Sequence, residues 1–229
     1  MSAARRFTWE EHLAVFGGSF DPPHLGHFEA IQGLFTAPGV ECVMIVPSAT
    51  PPLKQTLTPF EHRFAMTKCL AESLSKFPIE MSAIERDEKV KFTWQLLKVL
   101  SQDSEQPLAF VIGADQFSQL EQWDRFPDVM GLCDWIVLLR KPQTLFDVGQ
   151  SIQKYSQQGW LKPLQGNRFQ IQSSGKTRIL EFIETPAKNI SSTEIRQNYS
   201  LGKGAQNAAL VSASVQQYIE RNKLYGASV

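Results

Sequence analysis

Cysteine is scarce in this sequence, neither sign of charge is in excess, and no long apolar run occurs. The cysteines Cys42, Cys69 and Cys133 are scattered and form no C-x-x-C pair, which excludes a disulfide framework and favours reduced, buried thiols. Basic and acidic residues number 23 each, so no global field attracts nucleic acid or a membrane surface.

No stretch approaches the roughly 18 apolar residues of a membrane helix, and Met1 to Glu10 leads into no apolar region of a signal peptide. These absences predict a cytoplasmic protein with neither a membrane nor a nucleic-acid partner. The composition, with 42% hydrophobic and 20% charged residues, is ordinary for a globular chain with a sizeable core.

One stretch near the start, Gly17–His27, is rich in glycine, proline and histidine. The apolar run Leu13–Phe16 before it predicts a buried strand, and a helical repeat of apolar residues starts at Phe28 after it. The stretch is therefore a strand-to-helix turn. Its glycines let a ligand approach the backbone, and the helix dipole adds positive potential. Such a turn favours an anion, above all phosphate.

The parts of this turn also have plainer interpretations. Two glycines after a strand are often only a tight turn. His24 and His27 are three residues apart, which places both imidazoles on one face of the first helical turn. Their spacing is not the four-residue one of helical zinc ligands, and no cysteine lies near. We therefore expect no metal held by this pair.

Strands and helices alternate along the rest of the chain. Helical spacing marks Phe60–Leu74, a stretch with Thr93 as a candidate cap, and Val211–Tyr225, which we expect to pack on the sheet. The alternation predicts an α/β fold with a Rossmann-like, doubly wound, mostly parallel sheet, helices on both faces and a C-terminal helical segment. The further predicted strands are Cys42–Val46, Pro78–Met81, Leu108–Ile112, Trp135–Leu139 and Arg178–Ile183.

We expect a single domain over residues 1–229. Its core covers about 11–142 and 177–198, and a C-terminal helix lies at 211–225. The periodicity is poor between 143 and 176, which predicts a peripheral insertion that is not part of the catalytic machinery.

In doubly wound sheets the ligand lies at the carboxyl ends of the strands, where the strand order reverses. Four loops that follow predicted strands should therefore share one crevice. They begin at Gly17, Pro47, Gly113 and Arg140.

A second phosphate site is indicated near the end of the chain. Ser191 and Glu194 fit a capping box, whose plain interpretation is an ordinary helix start. Ser191 and Ser192 also place hydroxyls and amides at a helix N-terminus, with Arg196 one turn further on. Two such helix starts suit a triphosphate.

These stretches resemble motifs of a known family. Gly17–His27 resembles the G-G-[ST]-F-D-P-x-H-x-G-H signature of the nucleotidyltransferase superfamily, with every specified position filled. Ile190–Arg196 and Ile112–Asp115 resemble the I-S-S-T-x-I-R and I-G-A-D motifs of bacterial nicotinate mononucleotide adenylyltransferases. Pro51–Lys54 resembles their P-P-x-K, and Trp123 lies where they have a tryptophan. The resemblance covers nearly the whole chain.

The resemblance implies adenylyl transfer from ATP to the 5′-phosphate of nicotinate mononucleotide, which yields nicotinate adenine dinucleotide (deamido-NAD) and pyrophosphate in NAD biosynthesis. It implies that His24, His27 and Lys54 are catalytic and stabilise charge on the phosphates. It also implies Mg²⁺ bound through the substrate phosphates, not through a protein-built metal site. The implied ATP contacts are Gly17, Gly18, Ser19, Phe20, Gly113, Asp115, Arg140, Ile190, Ser191, Ser192 and Arg196. The implied mononucleotide contacts are Asp21, Ser48, Thr93 and Trp123.

The sequence departs from the family where the pyridine ring is read. Phe92 replaces a tyrosine and Leu53 a histidine, and either Arg140 or Lys141 is the cation that meets ATP. A site for the amide must accept from its N–H₂ group, whereas a site for the acid donates to a carboxylate. These departures leave open an enzyme that prefers nicotinamide mononucleotide or uses both.

Alternatives from other classes remain beside this hypothesis. A sister transferase, such as a phosphopantetheine adenylyltransferase, shares the opening signature. A tRNA synthetase would need an anticodon-binding domain, and a non-enzymatic nucleotide sensor would be expected to lose one of His24, His27 and Lys54, all of which are present. A homodimer is an open alternative to a monomer.

Overall fold

The computed structural model describes residues 8–36, 38–49, 57–86, 90–173, 175–188 and 190–227. These residues form one sheet of eight strands, which are β1 (Leu13–Gly18), β2 (Cys42–Pro47), β3 (Ile79–Met81), β4 (Leu108–Gly113), β5 (Asp134–Lys141), β6 (Leu161–Pro163), β7 (Arg168–Ile171) and β8 (Arg178–Lys188). Across the sheet they lie in the order β3-β2-β1-β4-β5-β8-β7-β6. The predicted Rossmann-like fold is confirmed.

The helices lie between the strands and after them. They are α1 (Leu25–Thr36), α2 (Phe60–Ser73), α3 (Thr93–Asp103), α4 (Ala114–Phe117), α5 (Gly149–Gln157), α6 (Ser192–Ser200) and α7 (Ala213–Arg221). Short 3₁₀ turns cover Ile84–Arg86, Leu120–Gln122, Asp128–Gly131, Gly204–Ala209 and Leu224–Gly226.

The central strands are apolar along their length because helices cover both faces of the sheet. Val15 of β1 pairs in parallel with Met44 on one side and with Phe110 on the other. The face that carries Phe16 packs against α1 and α2, and the face that carries Val15 packs against α3 and α5. From β1 the chain winds outward first to β2 and β3 and then to β4 and β5, so the order reverses between β1 and β4.

The segment 143–176 contains α5 and the antiparallel pair β6–β7, which extends the sheet through β8. The weak sequence pattern did not predict these elements. Lys162 and Gln170 interrupt short strands of three and four residues, so neither strand has the continuous apolar run of the parallel ones.

The C-terminal segment differs from its prediction in both length and contacts. α7 ends at Arg221, and it packs on α2 and the segment around α6 through Met66, Ile195 and Val215, not on the sheet. Its apolar stripe therefore meets other helices in a third, smaller core. Among the residues that the structure describes, no helix is long and apolar enough to cross a membrane.

Candidate active site

The loops after β1, β2 and β4 open into one cleft of about 860 Å³, and Arg140, which lies within β5 and does not begin a loop, also lines it. The cleft lies at the carboxyl ends of these strands, where the strand order reverses, as expected for a doubly wound sheet. The backbone N–H of Ser48 donates to the Gly18 oxygen at 2.8 Å, which joins the loops of β1 and β2 at its wall.

Most of the predicted site residues meet in this cleft. Those that line it are Gly17, Gly18, Ser19, His27, Ser48, Thr93, Gly113, Asp115, Trp123, Arg140, Ile190, Ser191 and Ser192. Phe20, Asp21, His24 and Arg196 are not part of its lining. Lys54 lies outside the described residues.

The two histidines form a stacked pair with ring centroids 3.7 Å apart, so the predicted shared face is confirmed. Each backbone N–H donates to the partner ring, from His24 to His27 Nδ1 at 3.2 Å and from His27 to His24 Nδ1 at 3.3 Å. An Nδ1 that accepts leaves the proton of a neutral ring on Nε2. Burial, followed by the charge of Arg140, lowers the pKa of His24 to about 3. His24 is therefore a neutral donor behind His27.

Arg140 brings a positive charge to the cleft. Its Nη2 lies 3.5 Å from Asp115 Oδ1, and its side chain is 22% exposed. Lys141 is exposed and is not part of the cleft lining, so of these two neighbouring cations Arg140 is the one that faces the cleft. A Cβ on Gly113 would lie 2.5 Å from that Asp115 oxygen, so a larger residue there would displace the exposed carboxylate.

The start of α6 is fastened to the turn after β1. Ser192 Oγ donates to the Pro22 oxygen at 2.9 Å, and Arg196 Nη1 donates to the Asp21 oxygen at 2.7 Å. Ser191 occupies the N-cap position, but its side chain makes no cap hydrogen bond, so the predicted capping box is wrong. Its hydroxyl is not used by the helix, and the residue lines the cleft instead.

The far end of the cleft is aromatic and polar. Trp123 contacts Phe110 edge-to-face at 6.3 Å and also packs on Trp135, so it is both a packed and a cleft-lining side chain. Thr93 lines the cleft but does not cap α3. The cap position is Phe92, whose N–H donates to the side chain of Gln95 at 3.0 Å. Unpredicted residues that also line this part are Lys91, Gln119, Gln122 and Asp124.

Arg63 is a structural residue beside the site that the sequence analysis did not predict. Its guanidinium is buried, 1% exposed, and Nη1 donates to the carbonyls of Ser19 at 2.8 Å and Ser48 at 2.6 Å. The other nitrogens donate to the carbonyls of Ala49 at 3.0 Å and Thr58 at 2.8 Å. One cation thus joins the turn after β1 to both ends of the segment between β2 and α2. Arg63 lies at helical spacing from Met66, Thr67 and Leu70, the other buried residues of α2, and this spacing is the signal that could have predicted its burial.

Glu85 is a second missed residue. It lines the cleft, and its Oε2 accepts the Ala49 N–H at 3.1 Å. Burial raises its pKa to about 7, although the Ala49 N–H and the Arg63 charge act in the opposite direction. The carboxyl group therefore titrates near neutral pH inside the cleft.

Asp21 is placed differently from the expectation that it contacts the mononucleotide. It is 2% exposed, and its Oδ2 accepts the Thr58 N–H at 3.2 Å. Its Oδ1 accepts the hydroxyl of Tyr225 at 2.7 Å. Both carboxylate oxygens are therefore used inside the protein, and the contact with the mononucleotide is not supported.

In the described part of the chain, no group of three His, Cys, Asp or Glu side chains is arranged to hold a metal ion. Asp115, Glu85 and Asp124 line the cleft separately. This donor set does not build a protein metal site, but it fits a cation that arrives on phosphate oxygens and keeps most of its waters.

The sequence profile of the family described as Cytidylyltransferase-like matches residues 15–198. A relative named "Probable nicotinate-nucleotide adenylyltransferase", from Trichormus variabilis, is 30% identical over 217 residues, which cover 94% of this chain and 97% of the relative. A protein of the same name from Yersinia pestis (strain Pestoides F) is 29% identical over 215 residues, 93% of this chain and 94% of its own.

The fold is also similar to solved structures. Plasmodium falciparum nicotinic acid mononucleotide adenylyltransferase complexed with NaAD superposes with a TM-score of 0.71 at 18% identity. The match covers 95% of this chain and 98% of that one. At this level of sequence identity, the similarity shows a shared fold and nothing further.

Proposed function

The chain belongs to the Cytidylyltransferase-like family, and on that premise we propose that it transfers the adenylyl group of ATP to the 5′-phosphate of nicotinate mononucleotide. The products are nicotinate adenine dinucleotide and pyrophosphate. One observation carries the proposal: the turn Gly17–Ser19, the α6 start at Ser191 and Trp123 all line a single cleft. Relatives that the chain matches over nine-tenths of its length are named for this activity.

The phosphates of ATP fit between the two helix starts. Amides of the turn after β1 and of the α6 start offer donors there, and Ser191 and Ser192 add hydroxyls. His27, with neutral His24 stacked on it, supplies an Nε2–H donor as charge grows on the α-phosphoryl oxygens. Arg140 offers a full positive charge to the triphosphate, and Asp115 an acceptor for the ribose hydroxyls.

The mononucleotide fits toward the aromatic end. Trp123 is a platform for the pyridine ring, and Thr93 is a donor for its carboxylate. The attacking phosphate is already an anion, so the step needs positioning and charge stabilisation and no general base. We propose that Lys54 holds this phosphate, and that Mg²⁺ arrives with ATP and neutralises charge on the triphosphate when bound.

A second candidate is the same reaction with nicotinamide mononucleotide, favoured by one specific observation. Glu85 lines the cleft with a pKa of about 7 and can accept from an amide N–H₂ group, while its ionised form would repel a carboxylate. Phe92 also lacks the hydroxyl that the family's tyrosine offers.

The deciding experiment measures pyrophosphate release from Mg·ATP with nicotinate mononucleotide, nicotinamide mononucleotide, phosphopantetheine or no acceptor. We expect the highest kcat/KM with nicotinate mononucleotide. A preference for the amide would select the second candidate. Release with phosphopantetheine alone would move the chain to a sister activity and refute both.

We also propose a cytoplasmic location and a homodimer. The location is supported by three cysteines that are free, one of them fully buried. Burial raises the pKa of Cys133 above its usual range, as for an inert structural thiol. Sedimentation equilibrium at micromolar concentration would measure the mass of the assembly, and a monomer there would refute the dimer.

A further inference from the structure

The end of the described chain returns to the turn after β1. The hydroxyl of Tyr225 donates to Asp21 Oδ1 at 2.7 Å, across 204 positions of sequence. A second contact also joins the C-terminal segment to the end of this turn: the Leu25 N–H at the start of α1 donates to the Leu210 oxygen at 2.8 Å. The C-terminal segment therefore holds the turn that carries both histidines.

Asp21 transmits this contact to the cleft. Its Oδ2 accepts the Thr58 N–H and its carbonyl accepts Arg196. The carbonyl of Thr58 in turn accepts a hydrogen bond from Arg63, and Arg63 also donates to the carbonyl of Ser19. Every acceptor of Asp21 is thus paired within the protein, and these bonds link the C-terminal segment to the turn between Ser19 and His24.

Tyr225 has an unfavourable backbone conformation. Its φ is 58°, and Lys223, two residues earlier, has a φ of 52°, both in the left-handed region that disfavours side chains with a Cβ. Such outliers persist where surrounding contacts over-determine them. Burial, together with the Asp21 charge, raises the pKa of Tyr225, so its hydroxyl remains a donor at any ordinary pH.

We propose that Tyr225 is a positioning residue for the active site: it fixes Asp21 and, through Asp21, the turn that presents Ser19 and His27 to the phosphates. The inference rests on the proposed adenylyl transfer for its kinetic consequence. Tyr225 is not part of the cleft lining, so its effect passes through the turn and not through the substrate.

The test replaces Tyr225 by phenylalanine and uses Tyr218 as a matched control. Tyr218 lies in the same C-terminal segment, and its hydroxyl bonds His62 Nδ1 on α2 at 3.0 Å, away from the turn. Tyr225→Phe should lower kcat about tenfold, because small misplacements of a catalytic array are costly. The KM values of both substrates should stay within about twofold, since their binding groups are retained. Tyr218→Phe should retain the wild-type kcat. Equal kcat in the two variants would overturn the proposal.

A second readout does not need turnover. Hydrogen exchange of a peptide covering residues 17–28 should be faster in Tyr225→Phe than in wild type and unchanged in Tyr218→Phe. If wild type releases no pyrophosphate, the proposed function fails, while this exchange experiment still decides on the positioning role. Unchanged exchange in Tyr225→Phe would refute it.

A double-mutant cycle tests the route. Asp21→Asn keeps an acceptor for the tyrosine hydroxyl but weakens the pair. If Tyr225 acts through Asp21, the double variant should be no slower than the slower single variant, because both changes break one interaction. Effects on kcat that multiply would show independent roles and contradict the proposal.

Discussion

The buried imidazole of His24 should make the stability of this protein depend on pH in a direction fixed by its surroundings. The folded pKa is about 3 and the ordinary value is 6.5. Between these values the unfolded chain binds a proton that the folded one does not, so lowering the pH favours unfolding. From pH 7 to pH 5 the linkage relation gives a loss of about 2 kcal/mol from this one group.

The change to make is His24→Asn, because the Asn Oδ1 can accept the His27 N–H in place of Nδ1 and does not titrate. Urea unfolding, followed by tryptophan fluorescence, gives the free energy of unfolding at pH 5, 6, 7 and 8. Wild type should lose about 2 kcal/mol more than the variant between pH 7 and pH 5. In the difference between the two proteins, the contributions of the titratable groups that both retain cancel.

The internal control is the interval from pH 7 to pH 8, in which His24 is neutral in the folded state and largely neutral in the unfolded state, so the difference between the two proteins should change by less than about 0.2 kcal/mol. Stability profiles that run parallel from pH 5 to pH 8 would refute the buried, neutral imidazole. If the wild type gained stability relative to the variant at low pH, the predicted direction of the His24 pKa shift would be refuted.

Three further predictions concern Glu85 and Gly113, which line the cleft, and Arg63, which binds the loops beside it. Glu85→Gln should remove a dependence of opposite sign: with a folded pKa of about 7 against 4.5, wild type should lose about 2 to 3 kcal/mol relative to the variant as urea unfolding moves from pH 5 to pH 8. Gly113→Ala should raise the KM for ATP about tenfold in the pyrophosphate assay, because its Cβ displaces Asp115. Its unfolding free energy should change by less than about 1 kcal/mol, since that side chain is exposed and can move. Arg63→Met should lower the unfolding free energy by about 3 to 5 kcal/mol, because four carbonyls lose their donor, and a loss below 1 kcal/mol would contradict that role.

The sequence predicted those parts of the fold whose signal is local. β4 and β5 are continuous apolar runs because both of their faces are buried, and such runs need no knowledge of the rest of the chain. The turn Gly17–His27 was likewise predictable from the sequence, since its glycines, prolines and histidines all lie within one strand-to-helix unit.

What the sequence did not predict depends on distant partners. Ser191 looks like a cap from its neighbours alone, but its side chain makes no cap bond and it lines the cleft. Asp21 looks like a ligand contact because it lies in the signature, and only the fold brings Tyr225 to it. Arg63 is one basic residue in a helix, and its four carbonyl partners come from two separate loops, the turn after β1 and the connection between β2 and α2.

The two outer strands of the sheet determine how this protein can meet other chains. β3 and β6 each have three residues, and β6 carries Lys162 and ends at Pro163, which has no N–H to donate. Short, charged, proline-ended edges resist the addition of a foreign strand and thereby protect against aggregation. Two copies should therefore associate through side chains and not through a continuous sheet. Deleting the β6–β7 hairpin would uncover β8, whose eleven residues offer a long template for such addition.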